Sequence, residues 1–173
     1  MTDIRVYVAC LAAYNNGHLH GKWIDATQAL DDIESEVAAM LSDSCIHDAE
    51  EYAIHDHEGF EGYRVSEYQG LESAHDIACF IEEYGAVGAK IFDHAGGDIS
   101  DAENIMINQR YGEYTSVSEF AQGHTEETSE VPAHLQNYID YESMGHDMET
   151  SGEIFTVETG FEEVHVFWSN QKR

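Results

Sequence analysis

Negative charge, spread through sequence that can fold, is the feature that most limits what this chain can be. The 173 residues include 35 Asp and Glu against 7 Lys and Arg, a formal net charge of -28. Residues 25–103 hold 21 acids and two bases, and residues 111–171 hold 13 acids with no Lys or Arg. Apolar residues (42%) and aromatic residues (11%) are interleaved with these acids, whereas disordered acidic segments lack them. We therefore predict a folded protein with a highly acidic surface.

The charge and the cysteine count exclude several classes of protein. Direct binding to nucleic acid or to an anionic membrane needs Lys and Arg side chains, which this sequence almost lacks. No apolar run approaches the length of a membrane span, and the N-terminus lacks the basic-then-apolar pattern of a signal peptide. Cys10, Cys45 and Cys79 are odd in number and widely spaced, which favours a reduced, cytoplasmic protein over a disulfide framework.

Hydrophobic periodicity predicts an α+β fold that begins with a small α+β lobe over residues 1–61. Alternating apolar residues are typical of strands, and apolar residues three and four apart are typical of a helix. The predicted elements are a strand over 4–10, a turn at Asn15-Asn16-Gly17, a strand over 21–24, a helix over 26–41 that begins at the N-cap Asp25, and a strand around Tyr52-Ala53-Ile54.

Glycine clusters then divide the remaining chain into a central helical lobe, 62–103, and a C-terminal α+β lobe, 104–173. Two capping boxes, Ser100 to Glu103 and Ser116 to Glu119, each predict the start of a helix. The predicted elements are a helix over 73–84 that ends at Gly85, a break at Gly96-Gly97, a helix over 101–110, a helix after Ser116, a helix start at Pro132, and a hairpin of 153–158 and 163–168 with its turn at Thr159-Gly160.

The acids of the predicted helices lie off the apolar faces: on the first, Asp31 and Asp32 are opposite the apolar stripe and Glu34 and Glu36 are on its flanks. On the second predicted helix Glu72, Asp76 and Glu83 fall within an arc of roughly 40°, and no base relieves their mutual repulsion. Duplex DNA carries one charge per about 1.7 Å, so 28 charges equal the phosphates on about 48 Å of duplex. The charge is thus sufficient for a DNA-like surface if the molecule is elongated.

Motifs for catalysis are weak. His55 and His57 share one strand face and are the best metal candidate, with His18 and His20 as a second pair. No zinc-protease helix, P-loop or nucleophile elbow is present, and residues 56–67 fail as a calcium loop. Two alternatives stay open: an acidic metal-binding or enzymatic module that uses His55 and His57, and a protein from a high-salt organism whose acidic surface is only solvated.

Several stretches resemble the ArdA family of antirestriction proteins, and the similarity extends over essentially the whole chain. IRVYVACLAAYNNG (4–17) and HGKWID (20–25) are similar to the start of these proteins. EEYAIHDHEGF (50–60) resembles the family's antirestriction motif, and the similarity continues through IEEYG (81–85) and the acidic C-terminal portion. His57 occupies a motif position where an aromatic residue is common.

The resemblance implies a function and a shape. ArdA proteins are mimics of B-form DNA, carried on mobile elements, that bind type I restriction–modification enzymes in the DNA groove. They block restriction and sometimes modification, without catalysis and without a cofactor. Their fold is a curved, elongated chain of three small lobes that dimerises through the C-terminal lobe. The predicted partners are therefore a type I enzyme and a second copy of this chain.

The charge pattern, the family resemblance and the apolar pattern of the hairpin each select a set of residues. The apolar residues of the predicted hairpin are too many for two strands alone to bury, which predicts an isologous dimer through the region after about residue 104. The predicted phosphate-mimicking surface comprises Asp31, Asp32, Glu34, Glu36, Glu72, Asp76, Glu82, Glu83, Asp101, Glu103, Glu113, Glu119, Glu126 and Glu127. The motif set is Glu50, Glu51, Tyr52, Ile54, His55, Asp56, Glu58 and Phe60, of which Tyr52, Ile54 and Phe60 are predicted to pack in the core. The predicted dimer interface comprises Phe155, Val157, Val164, Val166 and Trp168.

Overall fold

The computed structural model describes residues 3–169. Within them the fold is mixed α+β, as the sequence predicts, and it comprises six α-helices and two three-stranded antiparallel sheets. The chain divides into two compact units, residues 1–99 and 100–173, called here the N-terminal and C-terminal units. The finer division into three lobes, with boundaries at 61 and 103, stays a prediction.

The elements of the N-terminal unit are β1 (Arg5–Cys10), α1 (Leu11–Asn15), β2 (Gly21–Asp25), α2 (Leu30–Ser42), β3 (Tyr52–Glu58) and α3 (Leu71–His94). The unit is built on a sheet of strand order β2-β1-β3, in which the central strand β1 pairs antiparallel with both neighbours. Val6 and Val8 of β1 are fully buried because they alternate toward the core, as the pattern predicts. Ile33 and Val37 of α2 are buried as well.

The predicted start of helix α2, at residue 26, is wrong. Asp25 is the last residue of β2, and its carboxylate accepts hydrogen bonds at 2.8 Å from the backbone N–H and the hydroxyl of Thr27. The side chain therefore closes a local turn instead of capping a helix. Helix α2 begins at Leu30, after Ala29, which forms no side-chain cap. The short helix α1 is not among the predicted elements.

Gly85 interrupts helix α3. Its φ of 63° and ψ of -147° are not helical and suit a glycine, so the first segment of the helix ends where the sequence predicts. The helix then resumes and continues to His94, which was not predicted. Gly96 and Gly97, with φ of 69° and 84°, form the predicted break.

The elements of the C-terminal unit are α4 (Ile99–Asn108), β4 (Arg110–Tyr114), α5 (Val117–Thr128), a 3-10 turn (Gln136–Tyr138), α6 (Tyr141–Thr150), β5 (Ile154–Gly160) and β6 (Glu163–Trp168). The three strands form a second sheet, of order β4-β6-β5, and the core of the unit lies around Phe120, Ile154 and Val166. Trp168 packs against this core and forms an edge contact with Tyr111 at 5.6 Å between ring centroids.

The second predicted capping box is confirmed and the first is wrong. Ser116 Oγ accepts from the Glu119 N–H at 3.1 Å, so Ser116 caps α5. Helix α4 instead begins at Ile99, which places Ser100 inside the helix.

The hairpin is confirmed with a displaced turn, and two elements were missed. The turn lies at residues 161–162, because Gly160 still pairs with Glu163. The segment after Pro132 forms only the 3-10 turn, and the helix that follows, α6, was not predicted. Strand β4 was also missed. Among residues 3–169, no helix is both long enough and apolar enough to cross a membrane.

Candidate functional site

The predicted phosphate-mimicking carboxylates of α2 are on its solvent side. Asp31, Asp32 and Glu34 are exposed, because they lie opposite the buried face of the helix. Glu36 is half-buried and differs from them: its carboxylate lies 2.5 Å from Lys22 Nζ and accepts a hydrogen bond from Gln28. The ion pair with Lys22 lowers the pKa of Glu36. Glu36 is therefore ionised, but the positive charge of Lys22 balances its negative charge.

Helix α3 presents Glu72, Asp76, Glu82 and Glu83 to solvent along the segment before Gly85. No ion pair with a base is formed by these four side chains within the described residues. Their charge is therefore available to a partner.

Glu82 also belongs to a concave feature that the sequence does not reveal. It lines a cavity of about 230 Å³ together with Asp3, Asp25 and Glu61, which we call the acidic pocket. These four side chains come from the chain just before β1, the end of β2, the loop after β3 and helix α3. Only the tertiary fold brings them together, so helical and strand periodicity carry no signal for the pocket.

The predicted carboxylates of the C-terminal unit are all exposed. Tyr111 donates a hydrogen bond of 2.6 Å to Glu127 Oε2, which raises the pKa of Tyr111 to about 12. Glu119 Oε2 accepts from the Thr115 N–H at 2.6 Å, and this backbone bond lowers the pKa of Glu119. Both carboxylates are held in place by neutral donors. The other members of the set in this unit are Asp101 and Glu103 on α4, Glu113 on β4, and Glu126 on α5.

The motif stretch lies on β3 and the chain beside it, and its residues divide into two groups. Ile54 and Phe60 are buried, as predicted, whereas Tyr52 is 37% exposed and does not fill the core. Glu58 forms an ion pair with Arg5 on the neighbouring strand. Gly59 has a φ of 81°, and a Cβ there would lie 2.4 Å from the Asp3 carbonyl oxygen. The other acids of the motif, Glu50, Glu51 and Asp56, are exposed.

A comparison with protein families now identifies the chain. The family model described as Antirestriction protein (ArdA) matches residues 6–163. The chain belongs to the ArdA family. Membership implies an antirestriction function in a non-catalytic family, as the sequence resemblance predicts. No curated protein matches the chain in the corresponding search.

In this ArdA protein the two motif histidines have structural contacts. The His55 ring packs edge-on against Tyr14 at 4.8 Å, and its Nε2 lies 3.7 Å from a Glu67 carboxylate oxygen. The His57 Nε2 lies 3.1 Å from the Tyr63 carbonyl oxygen. Residues 3–169 contain no group of three His, Cys, Asp or Glu side chains arranged to hold a metal ion. The metal-binding or enzymatic alternative gains no support from these contacts.

The predicted dimer residues lie largely within the core of this ArdA chain itself. Val157, Val164 and Val166 are buried, and Trp168 is half-buried in the aromatic cluster. Phe155 is half-buried and stacks on Phe167 with 5.1 Å between ring centroids. The argument that these side chains need a second copy was wrong, because β4, α5 and α6 pack against the hairpin. The dimer itself stays a prediction.

Proposed function

We propose that this ArdA protein inhibits type I restriction–modification enzymes by occupying their DNA-binding groove as a mimic of B-form DNA. The supporting observation is that successive helices, α2, α3 and α5, each expose carboxylates opposite an apolar core face, with few bases beside them. A soluble protein normally mixes both signs of charge on its surface, because a single sign costs stability through self-repulsion. The cost is explained if the charge is required for binding.

Carboxylates replace phosphates in this mechanism. A groove that binds DNA presents Arg and Lys side chains, and Arg forms paired hydrogen bonds with a carboxylate as it does with a phosphate. Opposite fields accelerate the encounter, and counterions leave both surfaces when they meet. No covalent step and no cofactor are needed. Restriction is blocked because the groove is occupied, and modification is blocked to the extent that it uses the same groove.

Binding energy in such an interface is distributed over many carboxylates. An exposed ion pair contributes about 0–1 kcal/mol, so affinity depends on the number and spacing of the charges. The predicted set of fourteen carboxylates named above is our proposal for the contact surface. The exposed motif acids Glu50, Glu51 and Asp56 add to the same negative field.

We further propose that two copies form an isologous dimer, which lengthens the charged surface along one axis. The most exposed apolar side chains of the C-terminal unit are Ile107, Tyr138 and Phe161, and they are better candidates for the contact than the buried hairpin. Small-angle scattering with a mass measurement tests the dimer: an elongated particle of twice the chain mass is expected. A compact monomer at micromolar concentration would refute it.

Competition with DNA tests the mimicry. A labelled duplex that contains the recognition site is bound to the DNA-binding core of a type I enzyme, and the protein is titrated in. We expect stoichiometric displacement of the duplex and weaker binding as salt rises. A matched control is an acidic protein of similar net charge from an unrelated fold. Simultaneous binding of DNA and this protein to one enzyme core would refute groove occupation.

A further inference from the structure

The few bases of the described chain fall into two groups. Arg5 pairs with Glu58 and lies 5.3 Å from the Trp23 ring centroid, and Lys22 pairs with Glu36. The Arg110 guanidinium donates to His165 Nδ1 at 3.4 Å. Each of these three bases therefore has a partner inside its own unit.

Arg64 and Lys90 behave differently. Neither side chain forms an ion pair or a hydrogen bond with any residue in the range 3–169, although both belong to the most acidic part of the chain. Both are exposed, and both line one open groove of about 540 Å³ in the N-terminal unit, with Glu61, Tyr63 and Asp93. The fold thus brings together two free cations that are 26 residues apart in the sequence. We call this feature the cationic groove.

The loop that holds Arg64 is fixed in place. Tyr63 packs edge-on against Phe92 of α3 with 5.1 Å between ring centroids, and its carbonyl oxygen lies 3.1 Å from His57 Nε2. Glu61 and Gly62 have φ of 49° and 87°, which turn the chain toward the helix. Arg64 follows directly, so its backbone lies beside the helical segment that carries Lys90. The two cations are therefore parts of an ordered site.

The cationic groove adjoins the acidic pocket. Glu61 lines both features, so a partner that covers one of them meets the other within the same unit. A partner whose surface carries only acidic side chains is repelled by the net charge of -28. A free anion is repelled by the same net charge and by Glu61 and Asp93, which line the groove. The occupant that fits is a carboxylate held within an otherwise basic surface.

A DNA-binding groove offers that combination. Besides the Lys and Arg side chains that contact phosphates, it presents Asp or Glu side chains that accept hydrogen bonds from the amino groups of cytosine. A surface with carboxylates alone leaves those acids unpaired and repels them. Two cationic side chains that face such an acid can replace the amino groups on the edges of the nucleobases as hydrogen-bond donors.

We propose that Arg64 and Lys90 bind a carboxylate side chain in the DNA-binding groove of the inhibited enzyme, one that otherwise faces the amino groups of the bases. The proposal rests on the function proposed above and extends the mimicry from the phosphates to the base edges. It assigns these two side chains a role in selecting the target, because only grooves with an acid at that position gain the contact.

An affinity measurement separates this proposal from mimicry by charge alone. Arg64→Gln with Lys90→Gln makes the protein more negative, so charge mimicry alone predicts equal or tighter binding to the enzyme core. We expect binding about tenfold weaker, because charge-assisted bonds to the partner carboxylate are lost. The matched control is Lys22→Gln, which also removes a positive charge but from a side chain with an internal partner. Circular dichroism checks that both variants are folded.

The outcomes are distinguishable. If the wild-type protein fails to displace DNA, the proposed function fails and this inference fails with it. If the wild-type protein displaces DNA and the double variant binds at least as tightly, the mimicry stands and the role of Arg64 and Lys90 is refuted.

Cross-linking gives a second readout. A carbodiimide joins a Lys amine to a carboxylate only when the two are in direct contact. We expect mass spectrometry of the complex to find Lys90 joined to an Asp or Glu of the enzyme core. Lys90 joined only to Asp93 or Glu61 of its own chain, with or without the enzyme, would overturn the proposal.

Discussion

The two units hold their carboxylates in different ways. In the N-terminal unit, Glu58 and Glu36 are paired with bases. In the C-terminal unit, neutral hydroxyl and backbone donors hold several carboxylates, an arrangement that the N-terminal unit also uses where Thr27 holds Asp25. The hydroxyl donors in the C-terminal unit are Tyr111 to Glu127, Thr115 to Glu119, Ser143 to Asp140, Thr156 to Glu149, and Thr159 to Glu163.

The difference separates two uses of a carboxylate. A base fixes a carboxylate and cancels its charge, whereas a hydroxyl or N–H fixes it and leaves the charge intact. Asp140 illustrates the second use: it caps α6 by accepting from the Ser143 N–H at 2.9 Å, and that bond lowers its pKa. These bonds order acids of the C-terminal unit without placing a positive charge beside them, which suits a surface that presents charge at defined positions.

The largest expected effect comes from charge reversal. Replacing Glu72, Asp76 and Glu83 of α3 by Lys should weaken binding to a type I enzyme core by at least about a hundredfold, because each change turns an attraction into a repulsion. Reversing Glu126 and Glu127 in the C-terminal unit should give a comparable loss per charge. Titration of each variant against the enzyme core measures both, with the corresponding Gln variants as controls. If only one unit responded, the other would lie outside the contact surface.

Removing a cap tests how the start of α5 is stabilised, where the Ser116 hydroxyl accepts a hydrogen bond from the Glu119 N–H. Ser116→Ala should lower the free energy of unfolding of the C-terminal unit by about 1 kcal/mol, because an N–H at the start of α5 loses its acceptor. Glu119→Gln should cost less, since the amide oxygen still accepts from Thr115. Urea titrations followed by circular dichroism compare the two. Equal losses would mean that the charge of Glu119, and not its hydrogen bond, stabilises the helix.

Salt should affect stability and binding in opposite directions. Raising ionic strength from about 0.01 M to about 0.5 M screens self-repulsion and should stabilise the protein by several tenths of a kcal/mol to about 1 kcal/mol. Hydrogen exchange should show the gain in both units, because most acids of each unit have no base beside them. A protein that unfolds outright at low salt would instead support the high-salt alternative.

A buried histidine should make the C-terminal unit sensitive to acid. Burial lowers the pKa of His165, which contacts Arg110, Thr159 and, at 3.9 Å, Glu113. The unfolded chain therefore binds more protons below about pH 6.5, so this stabilisation is present above that pH and is lost as the pH falls through the lowered pKa.

Thermal unfolding of the wild type and of His165→Gln at several pH values between 5 and 8, at constant salt, measures the effect. The difference in stability between the two proteins should shrink as the pH falls. A difference that does not change with pH would show that the pKa of His165 is the same in the folded and the unfolded chain, which would contradict the lowered pKa.

The smallest effects are expected from single neutral substitutions. Asp31→Asn should change the dissociation constant for the enzyme core by less than about twofold, because one exposed pair contributes little among many. Glu36→Gln should change it even less, since Lys22 already neutralises Glu36. Isothermal titration resolves such changes. A large loss from either substitution would point to a localised contact.

Sequence alone predicted elements whose apolar residues follow a single period. The alternation in β1 and in the hairpin strands, and the cap at Ser116, specify those elements locally. Helix α6 was missed because its only fully buried residue is Gly145, where a Cβ would lie 2.9 Å from Val117 Cγ1. Close approach between two helices produces no hydrophobic stripe, so periodicity has nothing to detect.

The exposed acids were predicted because a helix fixes which side chains share a face. The acidic pocket and the cationic groove were not, because their residues come from distant elements. Strand β4 is a further case: it is short, contains Gly112, and pairs with β6 across a register shift. Its existence depends on the tertiary pairing, and without it the hairpin appeared to need a second copy.

The placement of the two tryptophans gives each unit its own optical label. Trp23, 37% exposed on β2 beside Tyr7 and beneath Arg5, should emit at long wavelength and be open to quenchers. Trp168, enclosed by the rings of Phe120, Tyr111 and His124, should emit at shorter wavelength and be shielded. Replacing either one by Phe leaves a single emitter, so the unfolding of one unit of this ArdA protein can be recorded without a signal from the other.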